Sequence, residues 1–520
     1  MSLKRESFEL LAGELFLTKS ELSSSNGATT IGTIRPESGA IVRSVQDKLD
    51  ETISVKDFGA KGDGVTDDTN SINLAVAASN GKNASAIFFP AGVYKITNTI
   101  NITRGQIILK GEGSGATVLR FFVDGVNAIQ FRNPTAPGII SNVAVTDMQI
   151  DIGSGITTTS GSGIYLENAV SAVISNVIVG GHSSSISING CFNVLVDNVV
   201  ISYGYSTAGG RNAIYVTKAS ASYGNTTSGN IFLNGVTATG GGNAANTVAP
   251  GAAYGLYVDC VDGLWVDNSY FGYFDQASVY CNLAGFFMSG LKFSNVWLDN
   301  GRNYGLWMNG SSGTPGATEF NSLRMVGGTN CVYNAYITGG WSNVHFVGGH
   351  AEQATDHSIA VTTTGSNITF TGFNCDSLTT RTNKSCLFFN GPSDVRVVAC
   401  SFDGGSTTAT LYGVYINGGI GHIVSSNKFK NCSIAGYFDG SADYWTAVGN
   451  IDGTNTNTFP ITNNSSGTKF FIANIGSQPS GYGTPTGAQK ISNFPGNTAT
   501  LAQCGGMISQ IINELKTLGI

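Results

Sequence analysis

The chain has 520 residues, of which 70 are glycine, 11 are proline and only 12% are charged, a composition that excludes disordered and long-helical proteins and points to turn-dense, strand-rich structure. A net charge of -6 without a clustered basic face excludes nucleic acid as the expected partner. Nine cysteines with no CxxC pair exclude a disulfide framework and a zinc site, and suit free thiols packed as small hydrophobes in a reducing cytosol.

The N-terminal MSLKRESFELLAGELF carries acidic residues where a signal peptide would be apolar, and no apolar run of spanning length follows. Neither export nor membrane insertion is expected. Residues 1–52 form an attachment segment: an amphipathic stretch with Phe8, Leu11, Leu15 and Phe16 on one side, then a Ser/Gly/Thr-rich linker from Ser23 to Thr33. ISVKDFGAKGDGVTDDT (Ile53 to Thr69) runs from a strand through a glycine-rich turn into a helix expected over Asn70 to Ser79, with Thr66 or Asp67 as its cap. Strands are expected at Ala86 to Phe89 and Val93 to Ile102, reversed by Pro90-Ala91-Gly92.

From there to about residue 450 the sequence repeats. Nine-residue windows stack as LKFSNVWLD (Leu291 to Asp299), LRMVGGTNC (Leu323 to Cys331), VHFVGGHAE (Val344 to Glu352), ITFTGFNCD (Ile368 to Asp376) and VRVVACSFD (Val395 to Asp403). Looser copies lie at Phe192 to Ile201, Gly263 to Gly272 and His422 to Lys430. Apolar residues at positions 1 and 3 point inward, the residue at position 5 absorbs a bend, and positions 7 and 9 point outward. A unit that cannot bury its apolar face alone must stack on its neighbours, so residues 53–452 are predicted to be an all-β, right-handed parallel β-helix of roughly fifteen coils. The remaining residues, 453–520, are loop-rich and end in Leu501, Cys504, Ile508, Ile511, Leu515 and Leu518, a heptad seam whose isoleucines favour three or four strands. A helix that short acts as a trimerisation clamp rather than alone.

GAIVRSVQDKLDETISVKDFGAKGDGVTDDT (Gly39 to Thr69), FFPAGVYKI (Phe88 to Ile96) and TPTGAQKISNFPGNTATLAQ (Thr484 to Gln503) resemble segments of bacteriophage tailspike proteins. SVKDFGAKGDGVTDDT alone is shared by the wider pectate-lyase-like superfamily, whereas RSVQDKLDE is more particular to phage tails. The resemblance implies a homotrimer in the virion tail that recognises O-antigen or capsular polysaccharide, often cleaving it as an endoglycosidase or lyase through acidic residues. The short N-terminal part implies attachment to another tail or baseplate protein instead of a large head-binding domain. The polygalacturonase pattern (NTD, DD, GHG, RxK) and a calcium-dependent pectate-lyase site are not found.

Superposing the windows places Asp299, Cys331, Glu352, Asp376 and Asp403 in an outward column at position 9, with Trp297, Thr329, His350, Asn374 and Ser401 at position 7. Four carboxylates among five positions exceed the background of 33 acidic residues in 520. Adjacent coils place Glu352 and Asp376 about 5 Å apart and Glu352 and Asp403 about 10 Å apart, the separations of retaining and near-inverting glycosidases. Glu352 is the expected general acid and Asp376 or Asp403 the base or nucleophile; Asp299 lies further off. Trp297 is placed to stack on a sugar ring, with Trp307 and Trp341 as looser candidates, and His350 and Asn374 are placed to touch substrate. No cofactor or metal is called for. The alternatives are turn carboxylates facing water, a non-catalytic receptor-binding spike, and a lyase, which needs a base together with a cation or an Arg/Lys, a cluster not expected beside the column. GEGSGA (Gly111 to Ala116) is expected to be a coil corner, and Asp63, Asp67 and Asp68 are expected to serve turns and caps rather than calcium.

Overall fold

A computed structural model describes residues 19–475, apart from 24–25, 34, 80–84, 204–210, 242–252, 300, 329, 377–382, 406–410, 453–460 and 467–469. The amphipathic N-terminal stretch and the C-terminal heptad seam lie outside the described residues. Two compact units divide the chain at residues 331 and 332.

The first unit opens with short elements capped by their own side chains. Ser44 and Asp47 form a reciprocal capping box on helix Val45–Leu49, and Ser54 and Asp57 repeat it on the 3-10 turn Val55–Phe58, which Gly59 ends at φ 94°. The helix expected over Asn70 to Ser79 spans Thr69–Ala78, and its N-cap is Asp68, without a side-chain cap bond, in place of the expected Thr66 or Asp67. The three neighbouring aspartates fold the glycine-rich turn onto itself. Asp63 accepts from the N–H groups of Val65 and Thr66 at 2.9 and 2.8 Å. Asp68 accepts from those of Lys61 and Gly62 at 2.7 and 3.0 Å, and Asp67 accepts from that of Thr69 at 3.0 Å. They serve the turn, as their sequence positions imply.

Beyond this start the unit is a parallel β-helix. Ile53, Ile87, Leu109, Val145, Ile174, Val196, Leu233, Val266, Phe293 and Phe320 pair one to the next in register, and all are buried. The second unit repeats the arrangement through Phe346, Phe370, Val397, Val424 and Ala447, also buried. Each parallel strand pair hydrogen-bonds along the whole row, so apolar side chains of successive coils stack directly, as in the 4.5 Å parallel pair of Phe346 and Phe370.

The bend at position 5 has a backbone cause. Asp147, Asn176, Asn198, Gly235, Asn268, Asn295 and Ser322 in the first unit, and Gly348, Gly372, Ala399, Ser426 and Gly449 in the second, all have φ between 49° and 65°. That left-handed conformation is tolerated by Gly and, through local hydrogen bonding, by Asn and Asp. Asn side chains also ladder between coils: Asn198 donates to Asn176 at 2.8 Å and Asn295 to Asn268 at 2.9 Å. The same corner turns the next strand so that positions 6 and 8 face inward. Asn427 occupies one such position fully buried; it donates to Val397 O at 2.9 Å and accepts from the Cys400 N–H at 2.8 Å.

One window needs correction. Leu291 pairs with Thr318 and Asp299 belongs opposite Val326, so this coil reads TEFNSLRMV (residues 318–326) and not LRMVGGTNC. Leu323 and Met325 are buried, at positions 6 and 8, where their apolar spacing mimics positions 1 and 3. Cys331, expected outward, is buried, and Thr329 lies outside the described residues. The eight described cysteines are free thiols, seven of them buried.

Ala399 is the exposed residue at a left-handed corner that carries a Cβ without a side-chain polar group. Relief of a strain of about 1–2 kcal/mol, set against a glycine entropy cost of about 0.5–1 kcal/mol, predicts that Ala399→Gly slows unfolding in urea, whereas Ala399→Val accelerates it. Asn427→Ala leaves buried backbone groups unpaired and is expected to cost about 2–4 kcal/mol, read as a faster urea unfolding rate.

Candidate functional site

Position 9 of the second unit forms a true register column. Glu352 lies opposite Asp376, Asp376 opposite Asp403, and Asp403 opposite Lys430, each step one strand spacing of about 4.8 Å. Position 7 runs beside it as His350, Asn374, Ser401 and Lys428. The buried residues between the two rows, Ala351, Cys375, Phe402 and Phe429, anchor each short strand so that its flanking side chains project outward together.

The carboxylates are not equivalent. Glu352 keeps 17% of its side chain exposed and Asp376 42%, with the His350 Nε2 3.9 Å from Glu352 Oε2 and 3.4 Å from Asp376 Oδ2. Burial pushes the Asp376 carboxyl above the usual carboxylate range; the charges of Asp403 and Glu352 add to this, while His350 and Lys430 oppose it. Asp403 behaves in the opposite way. Burial again works against its charge, but bonds from Lys430 Nζ at 2.8 Å, Gly405 N–H at 3.0 Å and Asn431 Nδ2 at 2.8 Å outweigh that and hold it below its ordinary value. Lys430 is raised in turn by this bond. The proton affinities of two neighbouring carboxyls are thus moved in opposite directions, Asp376 upward and Asp403 downward.

Lys430 is the residue that the acidic pattern passed over. The window His422 to Lys430 already placed it at position 9, but a search for carboxylates does not register a lysine. Its presence also corrects the expectation that no cation accompanies the column.

Trp297 and Asp299 belong to the first unit. Trp297 is 40% exposed, but the Arg324 guanidinium lies 4.5 Å from its ring centroid and the edge of Tyr270 packs against it. Asp299 accepts from the Tyr270 hydroxyl at 2.9 Å. Its register neighbours are Gly272 and Val326, so no run of carboxylates forms around it. Trp341 is fully buried and cannot face a sugar. Its apolar place inside a coil explains this better than any surface role.

A family profile described as rhamnogalacturonase A/epimerase, pectate lyase-like, matches residues 52–249. A capsule KN3-specific depolymerase of Klebsiella phage KN3-1 is 26% identical over 175 residues, 31% of this chain and 22% of that protein. Alginate lyase 7 of Azotobacter vinelandii is 40% identical over 78 residues, 14% of this chain and 9% of that protein. The chain therefore spans less than a quarter of each of these curated relatives. Among solved structures, a tailspike of E. coli bacteriophage HK620 in complex with a pentasaccharide superposes with a TM-score of 0.55 at 12% identity, covering 87% of this chain and 84% of that one. Tailspike protein 3 of bacteriophage CBA120 gives 0.52 at 13% identity, covering 92% and 70%. Residues 52–249 are thus pectate-lyase-like in sequence, and the chain has the right-handed parallel β-helix fold of phage tailspikes.

Proposed function

We propose that this chain is a phage tailspike subunit that binds a bacterial surface polysaccharide, O-antigen or capsule, and cleaves it internally as a glycoside hydrolase. The observation that carries the reading is the outward register column of Glu352, Asp376 and Asp403 with His350 beside it. The similarity to a phage depolymerase and to saccharide-bound tailspikes supports it. Asp376, whose proton affinity is raised above the ordinary carboxylate range, is the general acid that protonates the leaving glycosidic oxygen. Glu352, one strand away, is the base or nucleophile, the reverse of the roles expected from sequence. A spacing near 5 Å favours the retaining course. Asp403, saturated by three donors, tunes Asp376 instead of transferring a proton. Asn374 is placed to contact substrate at the edge of the column; within the first unit, Trp297 would offer its face to a sugar only if Arg324 yields its place on the ring.

The same reading takes the virion tail as the location, residues 1–52 as attachment to another tail or baseplate protein, and residues 453–520 as a trimerisation region. Self-association has support in the described part of the first unit. Ile108, Ala144, Val173, Leu195, Phe232 and Trp265 form one outward row over successive coils without a charge, and Ile108, Leu195 and Phe232 are exposed.

A second reading, β-elimination by a lyase, is favoured by Lys430, a cation beside the carboxylates, and by the similarity to an alginate lyase.

Incubating the chain with surface polysaccharides from a panel of Gram-negative strains, with mass spectrometry of the products, distinguishes these. Oligosaccharides carrying one added water, lost by about 10²–10⁴-fold in rate in Glu352→Gln and Asp376→Asn, are expected. Unsaturated ends select the lyase reading, and binding without shortening leaves a receptor-binding spike. Lys430→Met is expected to raise the carboxyl titrations of both Asp403 and Asp376, because the ammonium favours the charged form of each; carbon-detected NMR titration reads this. The part of stability that Asp403 contributes, present above its ordinary value and lost as pH falls through its depressed one, shrinks with loss of the lysine, the Gly405 N–H and Asn431 bonds remaining. Phe232→Lys is expected to reduce the trimer fraction in light scattering, and an unchanged mass would remove that row from the interface.

A further inference from the structure

The first unit carries a built surface that the acidic column does not use. Tyr215, Tyr257, Tyr280 and Trp307 share one register row, and Tyr254, Ala277 and Tyr304 share another on the same strands. Their rings lean on one another: Tyr254 on Tyr280 at 4.9 Å, Tyr280 on Trp307 at 4.3 Å and Tyr304 on Trp307 at 4.8 Å. Faces are spent inside this wall, and the Tyr215, Tyr257 and Tyr280 hydroxyls are bonded to Asp259, Asn282 and Asn309. Where the strands begin, Asp275, Arg302, Asn303 and Asn330 line a cleft of about 370 Å³, at the lower end of the size of small-ligand sites, roughly 300–1,000 Å³. Asp275 precedes the strand of Ala277, and Arg302 and Asn303 precede Tyr304 directly.

The cleft is lined by planar polar groups held in place by one another. Asp275 accepts from Arg302 Nη1 at 3.2 Å and from Gln276 Nε2 at 2.8 Å, and Asn303 Nδ2 donates to Asp275 O and Gln276 Oε1 at 3.3 and 3.2 Å. The Asp275 and Arg302 charges cancel, so the cleft holds no net charge to select an ion. What remains on offer is a mixed fan of guanidinium donors and an amide carbonyl in fixed planes, next to aromatic edges. That set matches vicinal hydroxyls, which each donate and accept. We propose that this cleft binds one neutral saccharide residue of a polysaccharide chain, through residues other than those of the cleaving column. The proposal rests on the reading that the chain handles polysaccharide, but not on the column being catalytic.

The test uses the full chain with Glu352→Gln, which blocks turnover under the reading above. Binding of neutral surface polysaccharides is measured by calorimetry, and of methyl glycosides of glucose, galactose, mannose and rhamnose by saturation-transfer NMR. Arg302→Ala and, as a near-isosteric change that spares the ion pair, Asn303→Leu are each expected to weaken binding at least tenfold with an unchanged circular dichroism spectrum. Unchanged affinity in both variants, or no saccharide bound at all, overturns the proposal. Loss of binding in these variants with no cleavage by the native chain would leave the cleft standing and remove the hydrolase reading. Cleavage that depends on Glu352 and Asp376 with cleft variants binding normally would do the reverse.

Discussion

Most of this structure depends on one backbone constraint: from Asp147 to Ser322 in the first unit and from Gly348 to Gly449 in the second, the coils turn through a left-handed residue at the same point, and the strands above and below pair in register. Four of those corners are glycine, at positions 235, 348, 372 and 449, and several are Asn, whose side chains bond to the corner of the neighbouring coil. A corner displaced by a single residue would send the following strand's inward set outward and leave Phe402 or Phe429 in water. The outward groups at positions 7 and 9 are aligned because the inward ones are. A site made of side chains distant in sequence therefore comes from repetition of a turn, and no loop has to fold over to assemble it.

That alignment has an electrostatic consequence. Carboxylates at successive rungs stand one strand spacing apart, and parallel stacking cannot move them away from each other. The fold answers in two ways. At Asp403 it supplies a lysine on the next rung together with Asn431 and a backbone N–H, which keep the group ionised. At Asp376 it supplies partial burial and two carboxylate neighbours, which push the carboxyl above its ordinary range against the opposing influence of His350. Two chemically different groups arise from the same residue type on the same face, one with its proton affinity raised and one with it lowered. The first unit, where Asp299 sits between Gly272 and Val326, shows the same position without that coupling.

Much of this was legible in the sequence. Alternation at positions 1 and 3 marks the strands, and Gly, Asn or Ala at position 5 marks the bend, because both are imposed by local sterics and burial. The column of Glu352, Asp376 and Asp403 followed from that spacing alone. The slip at Leu323 shows the limit: positions 6 and 8 are also apolar and two apart, so a coil whose first position is a buried Thr318 offers a false frame. Lys430 was missed because the pattern sought was one of charge sign, whereas the structure joins groups by register regardless of sign. The cover over Trp297 depended on Arg324, whose place the misframed window hid. The cleft beside Tyr254 and Tyr304 could not be read in advance, since it is bounded by residues at the ends of separate strands whose turn geometry no repeat specifies.

The central claim is that the scissile bond of a polysaccharide is placed over Glu352 and Asp376. It is tested most directly by a crystal structure of the Glu352→Gln variant soaked with oligosaccharides released by the native chain. The account predicts a glycosidic oxygen within hydrogen-bond reach of the Asp376 carboxyl, with the adjoining anomeric carbon facing residue 352 and His350 alongside. A well-ordered oligosaccharide bound elsewhere, with His350, residue 352 and Asp376 open to water, would contradict it.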